Sequence, residues 1–289
     1  MRFEFSFRTR LLALVALAIV LTIVALPLAA QDEADNGDGG DPLEQALAGL
    51  KLRTIGPAFM SGRVADIALH PENRNVWYVA VGSGGVWKTT NSGTTWDSIF
   101  DGQSSYSIGT ITLDPSNPNT VWVGTGENIG GRHVGYGDGI YVSHDAGGTW
   151  KNMGLQASER IGKIIIHPED SDTIWVAAEG PLWTSGGERG LYKTTDGGQT
   201  WRRTLVGDDG DDLWTGVTDI EIDPRDPDVL YAATWQRHRT VATYVGGGPN
   251  SGIHRSTDGG ETWTETLLHE ETYSAFYSVV YGNGMFLAG

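Results

Sequence analysis

The sequence predicts an all-β protein built as a β-propeller, and three observations carry that prediction. An eight-residue stretch, Ser143-His144-Asp145-Ala146-Gly147-Gly148-Thr149-Trp150 in its cleanest form, recurs at Thr89 to Trp96, Thr194 to Trp201 and Ser256 to Trp263. All four copies obey Ser/Thr-x-Asp/Asn-x-Gly-x-Thr-Trp, and self-similarity every fifty to sixty residues marks a solenoid, propeller or array. Short apolar-aromatic runs alternate with Gly, Pro and Asp turns, and no segment between them has the period or length of a helix. Cysteine is absent while glycine (41) and tryptophan (11) are abundant. That composition suits tight turns around a large core and excludes disulfides or thiolate metal sites.

Residues 1–30 carry Arg2, Arg8 and Arg10, then an apolar run from Leu11 to Leu26, then Pro27-Leu28-Ala29-Ala30. A charged start, an apolar middle and a small-residue exit predict an export signal and a secreted or periplasmic protein. The membrane would be touched only through this segment, if it is left uncleaved. Residues 31–51 are acidic and glycine-rich and predict a disordered linker, with a short helix over Pro42 to Leu50. Leu52 to Ile55 reads as a lone strand before Gly56-Pro57. The net charge of −16 disfavours nucleic acid as a partner.

From Ser61 a four-strand unit repeats, with blades over about 61–103, 104–157, 158–212 and 213–270 and an incomplete fifth at 271–289. The first strands are Val64 to Leu69, Ile108 to Leu113, Ile161 to Ile166 and Val217 to Ile222. Each ends in His-Pro or Asp-Pro (His70, Asp114, His167, Asp223), where the first residue caps the turn and proline stops the strand. The second strands carry Trp77, Trp122, Trp175 and Tyr231; the third and fourth flank the eight-residue motif as a β-hairpin. Ser278 to Tyr281 and Met285 to Ala288 predict a last hairpin around a glycine turn. Four and a half blades do not close a ring, so the sequence reads as a fragment. Missing blades or another chain would be needed to complete it.

This topology sorts the loops onto two faces. The Pro turns and motif turns are short and uniform on one. The other carries Gly126 to Gly139, Glu179 to Gly190, Gly207 to Thr215 and Gln236 to Gly252, which vary in length, and variable loops on a fixed scaffold are where a site belongs. Three tryptophans outside the repeat, Trp183, Trp214 and Trp235, fall there. With them lie Arg63, Glu127, Arg132, His133, Tyr136, Glu188, Arg189, Arg237 and His238. Aromatic rings beside Arg and Glu suit a peptide, protein or carbohydrate ligand. No metal-ligand spacing, nucleophile elbow or phosphate loop is present, so neither metal nor cofactor is predicted.

The eight-residue motif resembles the Asp-box, or BNR repeat, of sialidases, sortilin-type receptors and some secreted glycosidases. In those families the box is a structural hairpin away from the active site. The resemblance therefore implies a structural role for Asn91, Trp96, Asp145, Trp150, Asp196, Trp201, Asp258 and Trp263. The run Leu52 to Arg63, with Ser83 to Asn91, is similar to large secreted bacterial proteins with a sortilin N-terminal-like, WD40/YVTN/BNR-type propeller, often labelled glycosyl hydrolase. Sortilin-type receptors are ten-bladed and bind peptides in the tunnel, which again implies a larger ring. Xyloglucanase-like glycosidases place a catalytic Asp in a Thr-Asp-Ile-Gly-Gly-Ala-Tyr segment; the matching stretch, Val81 to Trp87, holds Gly82 there. Sialidases need Arg-Ile-Pro, and Arg160-Ile161-Gly162 departs from it. These departures favour a non-catalytic binding module. The alternative is a glycoside hydrolase whose acid/base pair is absent or elsewhere.

Overall fold

A computed structural model describes residues 62–131, 134–206, 213–267, 278–282 and 285–288. The export segment, the acidic stretch with its Pro42–Leu50 helix, the Leu52–Ile55 strand, and Arg132 and His133 lie outside these residues. Three antiparallel four-strand sheets and one of five strands follow one another along the chain. Blade 1 is β1 (Val64–Leu69), β2 (Trp77–Val81), β3 (Gly85–Thr89) and β4 (Asp97–Ser98). Blade 2 is β5 (Ile108–Leu113), β6 (Val121–Thr125), β7 (Ile140–Ser143) and β8 (Lys151–Asn152). Blade 3 is β9 (Ile161–His167), β10 (Asp170–Ala178), β11 (Gly190–Thr194) and β12 (Arg202–Leu205). In blade 4, β13 (Thr215–Asp223) and β14 (Asp226–Arg239) are joined by β15 (Tyr244–Gly246), β16 (Gly252–Ser256) and β17 (Thr264–Leu267). The hairpin β18 (Val279–Gly282) and β19 (Met285–Ala288) begins a fifth. No α-helix occurs among the described residues; the one helical turn is 3-10, at Gln156–Ser158. No helix there is long and apolar enough to cross a membrane.

First strands pack on first strands, β1 on β5, β5 on β9, β9 on β13 and β13 on β18. The blades therefore share an axis lined by these strands, and the ring is not closed. Blades 2 and 3 bury both faces, because alternate residues of a strand point to opposite sides, whereas β1 at the open end stays largely exposed. In β10, Ile174 and Val176 join a cluster with Trp122, Ile140 and Val142 of blade 2, while Trp175 and Ala177 join Val217, Ile220 and Leu230 of blade 4. A strand covered on both sides reads as a continuous apolar run, which is what this sequence contains.

The Asp-box geometry explains its residue types. The Ser143 hydroxyl donates to Asp145 Oδ1 (2.7 Å) and accepts from Gly147 N (2.8 Å). The Asp145 carboxylate also takes Thr149 N (2.7 Å) and Thr149 Oγ1 (2.8 Å). Thr194/Asp196/Thr200 and Ser256/Asp258/Thr262 repeat the arrangement. The fifth position must be glycine, since Gly147 has φ 91° and Gly198 has φ 83°. Each box also bonds the Pro turn of its own blade (Ala146 N to Asn119 O, 2.8 Å; Gly197 N to Asp172 O, 3.0 Å), so both lie on one face. The closing tryptophans reach further than the blade edge. Trp150 Nε1 donates to Ile99 O (2.7 Å) and Trp201 Nε1 to Met153 O (2.8 Å), each clamping its blade to the one before.

Those bonds hold the Asp145 and Asp196 carboxyls down at about 2, chiefly through the Ser143 hydroxyl in one and the Thr200 hydroxyl in the other. Asp258 lies lower still, chiefly through Thr262. An unfolded Asp titrates near ~3.9. Because the folded values are depressed, the stabilisation is fully present above ~4 and is lost as pH falls through about 2. Acid denaturation followed by tryptophan near-UV circular dichroism should show this limb. Replacing Asp145, Asp196 and Asp258 together by Asn should flatten it.

The Pro turns are capped interchangeably by His and Asp. His70 Nδ1 accepts from Asn73 N (3.1 Å) and His167 Nδ1 from Glu169 N (3.1 Å), while Asp114 Oδ1 accepts from Ser116 N (2.8 Å). Imidazole Nδ1 and carboxylate Oδ1 stand the same number of bonds from Cα, so either serves.

One variable loop is not a loop. Thr234 to Arg239 extends β14, and β15 pairs back on it at Arg237, His238 and Arg239. Thr234 and Trp235, β-branched and aromatic, are residue types that favour such an extension.

Candidate functional site

Asp66, Thr110, Lys163 and Asp219 hold equivalent places in the four first strands. Asp66 Oδ2 accepts from Thr110 Oγ1 (2.9 Å) and Ile111 N (3.1 Å) of the next blade, and its Oδ1 from Ile67 N (2.8 Å). Asp219 repeats the staple toward the last hairpin, accepting from Val279 N (3.0 Å) and Ile220 N (3.0 Å). Burial pushes the carboxyls of Asp219 and Glu221 up, with Lys163 opposing the shift in both. Between these strands opens a cavity of about 330 Å³, walled by Arg63, Asp66, Glu127, Asn128, Lys163 and Asp219.

Glu127 stands at its mouth. The loop after β6 carries it inward, and it is only 3 % exposed. Its Oε1 accepts from Arg63 Nη2 at 2.5 Å, whereas its Oε2 is buried without a hydrogen-bond partner. The carboxylate rests on Gly82 of blade 1: a Cβ added there would lie 2.2 Å from Glu127 Oε1. Asp66 and Asp219 are committed to backbone amides, so Glu127 is the mouth carboxylate with an oxygen to spare.

Behind the cavity is a layer of buried charge. Arg237 and Glu179, each 1 % exposed, form an ion pair. Burial, then the charge of Arg160, lowers the Arg237 guanidinium to about 9. Arg160 is fully buried, donates Nη1 to Glu159 Oε2 (3.1 Å), and leaves Nε and Nη2 without hydrogen-bond partners. Burial lowers its pKa also, against the charges of Glu159, Tyr136 and Glu127. Tyr136 lies over it, with the guanidinium carbon 5.7 Å from the ring centroid.

The variable-face loops are laced together above this layer. Arg239 of blade 4 donates Nε and Nη2 to Gly130 O of blade 2 (2.9 and 2.6 Å), and its amide donates to Leu182 O of blade 3 (2.9 Å). Glu188 accepts from Ala157 N (2.8 Å) and so ties its loop to the 3-10 turn. Arg189 gives its side chain to the carbonyls of Gly186, Glu179, Trp214, Pro181 and Thr184, making it the hub of the blade 3 loop. Trp214 is met by Arg189 (5.8 Å) and by the His238 ring (4.5 Å). Trp235 is buried, with Arg237 over it at 4.7 Å and Tyr244 edge-on. Trp183 is half-buried.

The structure thus brings Arg63 and Glu127 together at the cavity and sets Tyr136 over Arg160. It places Glu188, Arg189, Trp214, Trp235, Arg237 and His238 in the loop brace beside it. Arg132 and His133 lie outside the described residues. Sequence reasoning did not single out Lys163, Asp219, Glu179 or Tyr106. The signal for the first two was a polar residue at the third position of otherwise apolar strands. Among the described residues no cluster of His, Asp and Glu has the makings of a metal site.

The chain is 28 % identical to a xyloglucanase of Hypocrea jecorina over 247 residues, covering 76 % of this chain and 28 % of that protein. A xyloglucanase of Acetivibrio thermocellus is 26 % identical over 80 % of this chain and 28 % of its own length. The chain therefore spans little more than a quarter of these relatives. Among solved structures, a Niastella koreensis GH74 enzyme superposes with a TM-score of 0.51 at 25 % identity, covering 69 % of this chain and 28 % of that one. An ancestral GH74 enzyme gives 0.56 at 20 % identity, over 75 % and 27 %, and shares the fold. Residues 138–283, half of the chain, match the sequence profile described as Sortilin-Vps10 (sortilin, neurotensin receptor 3). With its Asp-box blades and that match, the chain belongs to the Sortilin-Vps10 family.

Proposed function

We propose that the chain is the carbohydrate-binding propeller segment of a glycoside hydrolase of the xyloglucanase kind, with a β-glucan lying across the channel mouth against Glu127. The observation that carries this reading is the Glu127 carboxylate, braced by Arg63 at 2.5 Å and holding one oxygen without a partner at the wall of the cavity. Sugar hydroxyls both donate and accept, so a carboxylate beside a guanidinium offers each hydroxyl a complement. Arg63, with a side chain 54 % exposed, is the movable partner that a hydroxyl can replace. The volume is at the small end of ligand sites, about 300–1,000 Å³, and suits a sugar unit rather than a folded partner.

Two further points support it. The curated relatives named above are xyloglucanases. Where the xyloglucanase-like segment has Asp this chain has Gly82, and the space that a side chain there would take is filled by the Glu127 carboxylate from the next blade. Hydrolysis takes two carboxylates about 5–10 Å apart. Glu127 is one candidate, and Asp66 and Asp219 are held in blade-to-blade staples. Export, read from residues 1–30, would place the protein where such polysaccharides are met.

Calorimetric titration with xyloglucan oligosaccharides, cello-oligosaccharides and a peptide panel tests the reading, with reducing-end release measured alongside. The chain should bind the glucans. Glu127→Gln should weaken binding about tenfold or more, because a hydrogen bond to a charged group contributes ~1.5–3 kcal/mol. Binding of peptides in place of glucans, or an unchanged Glu127→Gln, contradicts it.

A further inference from the structure

We infer that Tyr136, with Tyr106 beside it, is an aromatic floor on which successive pyranose rings of the glucan stack next to Glu127. The inference rests on the carbohydrate reading above and assigns the stacking to tyrosines, although the sequence offers tryptophans in or beside neighbouring loops.

Exposure separates the two kinds of ring. Trp235 is 3 % exposed, and Trp214 is engaged by Arg189 and His238. Tyr136 and Tyr106 stand 61 % and 64 % exposed on the same face. An exposed ring is a better platform where its backbone is anchored, and the backbone around both tyrosines is. Ser105 Oγ donates to Tyr136 O (2.9 Å), and Ser107 Oγ lies within hydrogen-bond distance of Gly82 O (2.8 Å) and Gly135 O (3.1 Å), so the residues flanking Tyr106 tie its segment to that of Tyr136. Gly137 N donates to Glu159 O (2.7 Å), and a Cβ at Gly137 would lie 2.3 Å from the carbonyl carbon of Thr125, which fixes the other side of Tyr136.

Arg160 is the second, independent pointer. This guanidinium is fully buried, approaches the Tyr136 ring at 5.7 Å and keeps two nitrogens without hydrogen-bond partners. It also interacts with the charge of Glu127. One buried cation therefore underlies both the exposed ring and the carboxylate with the spare oxygen. A pyranose fits that juxtaposition: its C–H face packs on the phenol ring while an edge hydroxyl meets the carboxylate. Two exposed rings on tied segments suit an extended β-linked chain, whose sugar units present flat faces in succession.

The test measures affinity for cellobiose and for a xyloglucan heptasaccharide in the wild-type chain and in Tyr136→Ala, Tyr136→Phe, Tyr106→Ala and Glu127→Gln, with melting curves of each. The melting temperature of Tyr106→Ala should not move, whereas Tyr136→Ala also removes the ring over Arg160 and is read against Tyr136→Phe, which keeps that ring. Tyr136→Ala should lose about tenfold or more in affinity, and Tyr136→Phe should stay close to wild type. Tyr106→Ala should weaken the longer ligand more than cellobiose, a length dependence that loss of a merely structural contact does not produce. If the wild-type chain binds and Glu127→Gln loses binding while both alanine variants match wild type, the floor is wrong and the carbohydrate reading stands. If the wild-type chain binds neither sugar, both fall.

Discussion

Arg237→Ala is expected to destabilise the protein by about 3–5 kcal/mol, measured by urea denaturation. The guanidinium is 1 % exposed and paired with Glu179, itself 1 % exposed, so truncation strands a carboxylate in a dry interior. It also removes the cation that stacks on Trp235 at 4.7 Å. The double replacement Arg237→Met with Glu179→Leu removes both charges and fills similar volume. It should come out near neutral or stabilising, since two buried ions cost much of what their attraction returns. A double variant as unstable as Arg237→Ala would show that packing, not the stranded charge, sets the effect.

Gly109→Ala should also be damaging, on the order of 3 kcal/mol. The inner strands touch here: a Cβ at Gly109 would stand 2.1 Å from Ile161 O and 2.5 Å from Gly126 O. Both obstacles are backbone, and moving them separates blade 2 from blade 3, so no rotamer change relieves the clash. Gly102 is the control, because a Cβ there meets nothing within 4 Å. Gly102→Ala should stay within about 0.5 kcal/mol of wild type. Equal melting temperatures for the two variants would mean that the inner strands are not packed this closely.

The repeat was legible because its chemistry is local. Ser143, Asp145, Gly147 and Thr149 bond one another within a few residues, so their spacing survives in the sequence. The interchange of His and Asp at the Pro turns was legible for the same reason. What the Asp-box tryptophans do was less so, because the acceptors of Trp150 and Trp201 belong to preceding blades. At the site, Arg63, Glu127 and Tyr136 could be chosen as polar and aromatic residues on variable loops. The burial of Arg160, Glu179 and Arg237 could not, since charged loop residues are ordinarily exposed and only the three-dimensional lacing of Arg239 to Gly130 closes the roof. The burial of Trp235 and the engagement of Trp214 by Arg189 and His238 were likewise not legible, because exposure is set by neighbours distant in the chain.

The most direct test is hydrogen–deuterium exchange of the chain with and without a saturating xyloglucan oligosaccharide. Slowed exchange at residues 63–66, 127–129 and 134–138, with the Asp-box turns at 145–150 and 196–201 unchanged, is the predicted result. Slowing confined to the Asp-box turns, or none at all, would contradict a carbohydrate site at the channel mouth.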